Sequence, residues 1–280
     1  MNSHSPKGHR APEDVIWGIA EPPCHVEEQG VVYSGSFQSV LGTLPSGSVD
    51  LIVTDPPYGI NFRGCRQRQT AHPVRAKRVP SEIKNLIAHD TADQALSQMN
   101  AFLLYASRLL RPGGCCCVCC PGGGRRISIL NNWTRLISRH LKLKELVVWD
   151  KGSLGLGPHY RSNYEFVIVA TKAGSPCKWH GKSDVPNVVR INRRIPRAGD
   201  HPTPKPIGLM AHFIGLHSKV GDLVLDPFAG QGPTLVAAKR LGRKFIGIEI
   251  EQRHCEVVVK RLTSAESDSY QSDVNVQEVY

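Results

Sequence analysis

The stretch LVLDPFAGQGPTLVAAKRLGRKFIGIE, residues 223–249, carries the pattern that decides the fold. Its first apolar run leads into a turn that contains Gly230 and Gly232, a helical pattern follows over 233–241, and a second apolar run ends at Glu249. Glycine permits a tight turn and lets a ligand approach the backbone, while the helix that follows offers free N–H groups. The stretch therefore predicts a β-α-β unit with a ligand-binding turn after its first strand.

The alternation of strands and helices extends over the rest of the chain. Short apolar runs predict strands at Gly30–Ser34, Val49–Thr54, Cys115–Cys120, Leu146–Trp149, Phe166–Thr171, Leu223–Leu225 and Phe245–Glu249. Helical periodicity predicts helices near 92–110, 126–140, 206–218, 233–241 and 251–262. Buried strands that alternate with helices indicate an α/β fold, with a mostly parallel sheet covered by helices on both faces.

The two ends of the chain differ from this body in composition. Residues 1–28 are polar, with a break at Pro22-Pro23, and we predict that they form a loose amino-terminal arm. Residues 263–280 carry four acids and no base, which predicts an acidic disordered tail. The folded domain is therefore expected to span 29–262.

Composition limits the class of protein. The chain has 280 residues, of which 40% are hydrophobic and 21% charged, as is typical of a globular protein rather than a disordered one. No run approaches the roughly 18 apolar residues of a membrane span. The first 15 residues contain no apolar core, so we expect no secretory signal and a cytoplasmic location in which cysteines stay reduced.

The net charge of +11 is concentrated in two segments. Residues 63–84 hold seven Lys or Arg and one acid, and residues 172–205 hold eight Lys or Arg and two acids. Both interrupt the strand–helix alternation, so we expect a basic loop insertion at 63–90 and a second long segment at 172–200. This distribution points to a polyanionic partner such as nucleic acid, although a basic surface without a specific partner has the same charge.

An acid follows the glycine turn at a spacing that suits a nucleoside. Glu249 ends the second strand roughly 19 residues after Gly230, and a carboxylate there can accept hydrogen bonds from both ribose hydroxyls. The turn lacks the third glycine of the dinucleotide fingerprint and lacks a Gly-Lys-Ser/Thr sequence, so NAD and a P-loop nucleotide are disfavoured. The alternative is a plain strand–helix connection without a ligand.

A second motif, Asp55-Pro56-Pro57-Tyr58, follows the predicted strand Val49–Thr54. The two prolines stiffen the backbone, so the Asp55 carboxylate and the Pro56 carbonyl can both accept hydrogen bonds from one NH2 group. The ring of Tyr58 can stack on a planar base. Such a string also makes simple turns, but the carboxyl end of a sheet strand is where open α/β sheets bind ligands.

These two motifs together resemble those of the S-adenosylmethionine-dependent DNA amino-methyltransferases. The catalytic motif precedes the glycine turn, which is the circularly permuted order of that family's beta group. Over residues 30–262, further segments agree in order: Leu109–Gly114, Val148–Lys151, Tyr160–Phe166 and His201–Pro206. The resemblance implies a Rossmann-like methyltransferase fold with a mostly parallel, seven-stranded sheet.

The resemblance also implies roles for individual residues. The catalytic residues would be Asp55, Pro56, Pro57 and Tyr58. The contacts with the cofactor S-adenosyl-L-methionine would come from Asp226, Phe228, Gly230, Gly232, Thr234, Glu249, Ser36, His201, Thr203 and Lys205. Ser36 departs from the family pattern, which has an acid at that place to contact the cofactor's adenine.

The two basic segments contain most of the residues expected to bind DNA. The first directly follows Tyr58, and the second lies between Glu165 and His201, where the family carries its target-recognition segment. The expected DNA contacts are Arg63, Arg66, Arg68, Arg75, Lys77, Arg78, Lys151, Arg161, Lys178, Lys182, Arg190, Arg193 and Arg194. A base inside a duplex cannot reach the pocket, so the resemblance implies base flipping on double-stranded DNA. The family is compatible with a homodimer and with a cognate restriction enzyme.

Three functions remain open at this point. The first is site-specific methylation of adenine N6, which Asp55 favours. The second is methylation of cytosine N4, in which Ser more often leads the motif but the geometry of the amine is nearly the same. The third is a basic DNA-binding protein with a degenerate cofactor pocket, and a measurement of cofactor binding separates it from the other two.

The nine cysteines do not indicate a disulfide framework. Five of them lie together as Cys115, Cys116, Cys117, Cys119 and Cys120. Zinc would need a second pair of ligands, which the sequence does not supply at a recognisable spacing. We interpret the run as a strand in which Cys serves as a small apolar residue, and we predict no metal site.

Overall fold

The computed structural model describes residues 22–60, 91–122, 126–155, 160–193 and 205–264. The basic loop predicted at 63–90 lies outside the described residues, as do most of the predicted amino-terminal arm and acidic tail.

A sheet of nine strands forms the centre of the described structure. The strands are β1 (Pro23–Glu27), β2 (Gly30–Ser34), β3 (Val49–Thr54), β4 (Leu110–Cys120), β5 (Lys142–Asp150), β6 (Tyr164–Thr171), β7 (Val188–Arg190), β8 (Leu223–Asp226) and β9 (Lys244–Glu249). Their order in space is β1-β2-β9-β8-β3-β4-β6-β5-β7. Strands β2, β9, β8, β3 and β4 are parallel to one another, whereas β6 runs antiparallel to its neighbours β4 and β5. The mostly parallel sheet is confirmed.

In the described part of the chain, six helices cover the two faces of the sheet. On one face lie α1 (Phe37–Thr43), α2 (Ala92–Leu109) and α3 (Ile127–His140), which bury Val40, Met99 and Trp133 in one core cluster. On the other face lie α4 (Ile207–His217), α5 (Pro233–Arg240) and α6 (Gln252–Ser264), which bury Leu209, Leu235 and Val258 in a second cluster. Central strands are covered on both faces, and all six residues of β3 are buried. Its two polar residues, Asp50 and Thr54, are hydrogen-bonded to Lys178 and Asp226.

The cysteine run lies in β4 and is buried on both faces. Side chains alternate along a strand, so Cys116 and Cys120 join the cluster under α1 to α3, while Cys115, Cys117 and Cys119 join the cluster under α4 to α6. Burial raises the pKa of Cys116 to about 12, so this thiol stays protonated at neutral pH. The interpretation of the run as a core strand is confirmed.

The strand count and the amino-terminal arm need correction. The sequence predicts seven strands, but β1 and β7 extend the sheet to nine. Strand β1 lies within the arm 1–28 that was predicted to be loose. It is ordered because it forms a hairpin with β2 and because Glu27 accepts a hydrogen bond from Lys239 Nζ at 2.8 Å. Strand β7 has three residues and α1 has seven, so neither gives a periodic signal long enough to detect in sequence.

The strand order brings the two motifs to one edge of the sheet, which we call the carboxyl edge because the parallel strands end there. The connection from β3 to β4 moves one way across the sheet and that from β8 to β9 moves the other way, so the order reverses between β3 and β8. Ligands of open α/β sheets bind at such a reversal point. The antiparallel β6 begins at this edge, since Phe166 pairs with Cys120 at the end of β4.

Within the described ranges, no helix combines the length and the apolar character that crossing a membrane would require.

Candidate active site

A cavity of about 460 Å³ opens at the carboxyl edge, at the reversal point between β3 and β8. Asp55 to Tyr58 line one part of it, and residues 226–231 with Glu249 line another. Its volume lies in the range of small-molecule sites, roughly 300–1,000 Å³. Two motifs that are more than 160 residues apart in sequence, at Asp55 and Asp226, therefore share one cavity.

The glycine turn has the backbone that the sequence predicts. Gly230 and Gly232 have φ angles of 54° and 75°, in the left-handed region that side chains rarely adopt. Glu249 accepts a hydrogen bond from the Gly230 N–H at 2.8 Å and another from the Glu251 N–H at 2.8 Å. A carboxylate has about four lone-pair positions, so both oxygens of Glu249 can still accept a hydrogen bond from a ligand hydroxyl.

The start of the turn is fixed by buried contacts. Asp226 accepts hydrogen bonds from Thr54 Oγ1 at 2.7 Å and from the Phe228 N–H at 3.1 Å. Burial outweighs these bonds and raises the pKa of Asp226 to about 6. The ring of Phe228 packs between Phe37 at 5.0 Å and Phe102 at 5.8 Å, so it forms a rigid apolar wall.

Ser36 and Thr234 lie beside this turn. Ser36 caps α1, where its hydroxyl oxygen accepts a hydrogen bond from the Gln38 N–H at 3.2 Å, and it lines the cavity. Thr234 is buried in the first turn of α5 and also lines the cavity. His201 and Thr203, the other expected cofactor contacts, lie outside the described residues.

The residues present in this part of the cavity fit an adenosine derivative. Glu249 offers a carboxylate for a ribose diol, and Phe37 and Ile250 offer apolar surface for a planar base. Aromatic rings such as Phe228 also attract a positively charged sulfonium group. The cavity therefore has the size and the polar groups that S-adenosyl-L-methionine requires.

The part of the cavity next to the Asp55–Tyr58 motif is built around Asp55. Its Oδ2 accepts a hydrogen bond from Lys205 Nζ at 2.8 Å, and its Oδ1 accepts one from the Tyr58 hydroxyl at 2.7 Å. Both bonds hold the carboxylate in one orientation at the end of β3. Each oxygen keeps a further lone pair for an incoming N–H group.

Glu165 joins this network from the start of β6. Its Oε1 accepts a hydrogen bond from Lys151 Nζ at 3.3 Å, and its Oε2 lies 3.3 Å from Lys205 Nζ. Burial alone would raise the pKa of Glu165, but the charges of Lys205 and Lys151 outweigh it and lower that pKa. Asp55, Glu165, Lys151 and Lys205 thus form a cluster of two acids and two bases.

Lys205 is bound differently from the sequence expectation. It was expected to contact the cofactor, but its ammonium binds Asp55 and Glu165 and lies 5.0 Å from the centre of the Tyr58 ring. Burial alone would lower the pKa of Lys205, but the two carboxylates outweigh it and hold that pKa above its usual range. Lys205 therefore stays protonated in this cluster.

Tyr58 also has contacts that the sequence did not indicate. Its ring meets Trp133 edge-on at 5.8 Å, and its hydroxyl bonds to Asp55. Burial raises the pKa of Tyr58 well above its usual range, and the Asp55 and Glu165 charges act in the same direction. The phenol therefore remains a hydrogen-bond donor, and the role of its ring in stacking on a base stays a prediction.

Glu165 was not among the residues expected to act at the site. It lies in the segment Tyr160–Phe166, which agrees with the family in order, but nothing in that sequence distinguishes Glu165 from a surface acid. Two signals exist only after folding: the antiparallel direction of β6, and the burial of the side chain beside Lys205.

The expected DNA-binding residues fall into three groups, apart from Lys151, whose ammonium pairs with Glu165. Arg161, Arg190 and Arg193 are exposed near the carboxyl edge, as Arg190 pairs with Asp150 at the end of β5 and the Arg193 N–H donates to the Lys151 carbonyl. The residues outside the described part of the chain are Arg63, Arg66, Arg68, Arg75, Lys77, Arg78 and Arg194.

Lys178 and Lys182 lie at the other end of the sheet, the amino edge. Lys178 Nζ donates to Asp50 at 2.7 Å, and Asp50 stands near the start of β3 while Asp55 follows its end. Burial alone would raise the pKa of Asp50, but hydrogen bonds from Lys178 and the Leu223 N–H outweigh it and lower that pKa. Lys178 therefore balances the charge of a buried acid at the amino edge, and its expected contact with DNA stays a prediction.

Comparison with protein families gives one match over most of the chain. Residues 49–260 match the family model described as DNA methylase, of the N6/N4 type. The chain is also 27% identical over 286 residues to the DNA adenine methyltransferase YhdJ of Escherichia coli (strain K12), covering 88% of this chain and 86% of the relative.

Two solved structures share the fold. The PvuII DNA methyltransferase, described as cytosine-N4-specific, superposes with a TM-score of 0.68 at 18% identity and covers 93% of this chain and 94% of its own. A DNA modification methylase of Thermus thermophilus, in complex with S-adenosyl-L-methionine, gives a TM-score of 0.58 at 21% identity and covers 84% and 95%. At these identities the matches establish the fold.

Proposed function

The chain belongs to the N6/N4 DNA methylase family, and from that premise we propose that it transfers a methyl group from S-adenosyl-L-methionine to the exocyclic N6 of adenine in duplex DNA, at a specific sequence. The observation that carries this proposal is the shared cavity. An acid and a carbonyl suited to an amine, at Asp55 and Pro56, lie in the same cavity as the nucleoside-binding turn and Glu249.

The amine of adenine needs activation before it can attack a methyl group. Its lone pair is delocalised into the ring, so it is a poor nucleophile. Asp55 and the Pro56 carbonyl accept hydrogen bonds from its two N–H groups, which favours a tetrahedral nitrogen with its lone pair directed at the methyl group. The contribution is positioning and electrostatic stabilisation more than proton transfer.

Lys205 and Tyr58 prepare Asp55 for this role. Their two hydrogen bonds fix the carboxylate, so little reorganisation is needed when the amine arrives. Lys205 is therefore a positioning residue, since it acts on the amine through Asp55.

The cofactor supplies the methyl group when it is bound. Glu249 would accept the ribose hydroxyls, and the wall formed by Phe37 and Phe228 would lie beside the rest of the molecule. The Thermus structure with S-adenosyl-L-methionine supports this assignment through the shared fold.

Adenine is favoured over cytosine by two observations. Asp55 leads the catalytic motif, and the Escherichia coli relative is described as a DNA adenine methyltransferase. Methylation of cytosine N4 is the second candidate, because the structurally similar PvuII enzyme is described as cytosine-N4-specific. The two reactions use the same acceptors for the amine, so the product decides between them.

Several finer features of the proposal follow from the same chemistry. The target base would be flipped out of the duplex to enter the cavity, and the exposed Arg190 and Arg193 would contact the DNA near it. A homodimer and a cognate restriction enzyme belong to the proposal as partners. A DNA substrate requires a shared compartment, in keeping with the cytoplasmic location expected from the sequence.

The proposal is tested by separating methyl transfer from cofactor binding. Asp55→Ala should lower the rate of methyl transfer to DNA by about 100-fold or more, because it removes an acceptor used in the transition state. Calorimetry should show nearly unchanged affinity for S-adenosyl-L-methionine, whereas Glu249→Ala should weaken that affinity. Asp93→Asn, at an exposed acid at the start of α2, is the matched control.

Two outcomes contradict the proposal. Full transfer activity in folded Asp55→Ala would remove Asp55 from the mechanism. Absence of cofactor binding to the unmodified chain would favour the basic DNA-binding protein with a degenerate pocket.

A further inference from the structure

A cluster of metal-binding side chains lies near the amino edge of the sheet, away from the catalytic cavity. It consists of Cys115 in β4, Cys177 in the segment after β6, and His217 at the end of α4. The ligand atoms of the three side chains all lie within 4.8 Å of one another. Cys115 and His217 are buried and Cys177 is partly exposed, so the cluster has one path to solvent.

A fourth donor faces the same space. The Lys178 carbonyl oxygen lies 3.1 Å from His217 Nδ1, 3.6 Å from Cys177 Sγ and 3.9 Å from Cys115 Sγ. A tetrahedral zinc site with bonds of about 2.3 Å to sulfur and about 2.1 Å to nitrogen and oxygen has edges of about 3.6 Å between sulfur and oxygen and about 3.4 Å between nitrogen and oxygen. The three separations from the carbonyl oxygen therefore match a tetrahedral shell to within about 0.3 Å.

The two sulfurs are the pair that must move. Cys115 Sγ and Cys177 Sγ are 2.8 Å apart, against about 3.8 Å for two thiolates on one zinc ion. Cys177 is only partly buried, so a small rotation of its side chain can open this distance. A disulfide would need the sulfurs to approach to about 2.05 Å.

The ring of Trp179 packs edge-on against His217 at 5.4 Å and restricts the orientation of the imidazole.

We propose that Cys115, Cys177 and His217, with the Lys178 carbonyl oxygen, bind a zinc-type divalent cation that has a structural role. The ligands come from β4, the start of the 172–193 segment and the end of α4. The bound ion would fasten the amino-edge end of that segment to the sheet, and because ligands held by a metal stabilise the folded chain, its binding free energy would add to stability.

Cobalt(II) is a suitable probe because thiolate-to-cobalt charge transfer is visible by absorption. The full chain, reduced with a phosphine and freed of metal by chelator dialysis, should bind one equivalent of cobalt(II) with a charge-transfer band, and zinc(II) should displace it. Cys177→Ser should lower the affinity by about 100-fold or more, and His217→Gln should also weaken it. Cys24→Ser removes a cysteine outside the cluster and should leave the band unchanged.

A second measurement protects the test against unfolded variants. Zinc(II) should raise the melting temperature of the unmodified chain by several degrees and leave that of folded Cys177→Ser unchanged. No charge-transfer band in the reduced chain, or an equal band in Cys177→Ser, overturns the proposal. A Cys115–Cys177 disulfide in a chain that binds no cobalt after reduction also overturns it. None of these readouts uses methyl transfer, so the test is independent of the proposed reaction.

Discussion

At the residue scale, the state of Asp55 depends on the groups that hold it. The side chain of Lys205 is 5% exposed and forms ion pairs with both Asp55 and Glu165. The Tyr58 hydroxyl donates a hydrogen bond to the other oxygen of Asp55. The sequence could indicate Asp55 and Tyr58, since they are adjacent to a strand in a recognisable motif. It could not indicate that Lys205 binds them, because that contact spans 150 residues and depends on how the sheet folds.

Lys205→Met should reduce kcat by roughly 10- to 100-fold, because Asp55 loses the donor that orients it. The positive charge of Lys205 lowers the pKa of Glu165, so its removal should raise the pKa of this carboxyl group beside Asp55. The acid limb of the rate profile should therefore move to higher pH. A pH series of kcat and KM measures both effects.

Two comparisons make this prediction specific. Lys205→Arg keeps the charge and should restore part of the rate, while Lys142→Met, at an exposed residue of β5, should behave as the unmodified enzyme. An unshifted acid limb in Lys205→Met would contradict the positioning role.

Asp226 provides a test of the buried turn by stability. Its pKa of about 6 is raised above the unfolded value near 3.9, so the folded state holds its proton more tightly than the unfolded state does. The stabilising contribution is complete below about pH 4 and is lost as the pH rises through 6. Asp226→Asn removes this titration, so its stability relative to the unmodified chain should increase by about 2 kcal/mol between pH 4.5 and 7.5. Urea denaturation at the two pH values measures the difference, and an equal difference at both would contradict the buried acid.

At the element scale, strand direction explains why distant residues meet. The parallel strands β3, β8 and β9 end at the carboxyl edge and deliver Asp55, Asp226 and Glu249 there. The antiparallel β6 begins at that edge and delivers Glu165. Apolar runs in the sequence predict the parallel strands well because each is buried on both faces. The direction of β6 and the short elements β1, β7 and α1 follow from tertiary pairing, which leaves little trace in the sequence.

Two Gly→Ala substitutions should have opposite effects, one at the junction between the glycine turn and α5 and one within α1. Gly232 has a φ of 75°, and an added Cβ would lie 3.0 Å from Val258 Cγ1 on α6. Gly232→Ala should therefore destabilise the fold by about 1–3 kcal/mol. Gly42 lies in α1 with open space around it, so Gly42→Ala should be neutral or stabilise by up to about 1 kcal/mol. Thermal or urea denaturation compares them, and equal effects would contradict the left-handed turn.

At the scale of the whole molecule, the positive charge of the second basic segment lies at both edges of the sheet. Arg190 and Arg193 are exposed near the cavity, whereas Lys178 neutralises the buried Asp50 at the opposite edge. The sequence predicts the second basic segment as a DNA-binding region but cannot separate these residues, because the segment runs from one edge of the sheet to the other. Composition indicates the sign of the partner's charge and not the position of each contact.

Salt dependence of DNA binding tests this division. If Arg193 contacts a phosphate, Arg193→Ala should reduce the slope of log affinity against log salt by about 0.9. Lys182→Ala, in the same segment but near the amino edge, should leave the slope unchanged. Fluorescence anisotropy over a series of salt concentrations measures both slopes. A slope changed equally by the two substitutions would contradict the assignment of the carboxyl edge as the DNA-facing side.

The proposed reaction, methylation of adenine N6 in the cavity at the carboxyl edge, can be measured directly. Long-read sequencing of DNA from a host without its own methyltransferases, expressing either this chain or its Asp55→Ala variant, reports the modified base and its sequence context together. We expect N6-methyladenine in one recurring sequence context with the unmodified chain and none with Asp55→Ala. N4-methylcytosine in place of N6-methyladenine, or unmodified DNA from a host that contains the folded chain, would contradict the proposed reaction.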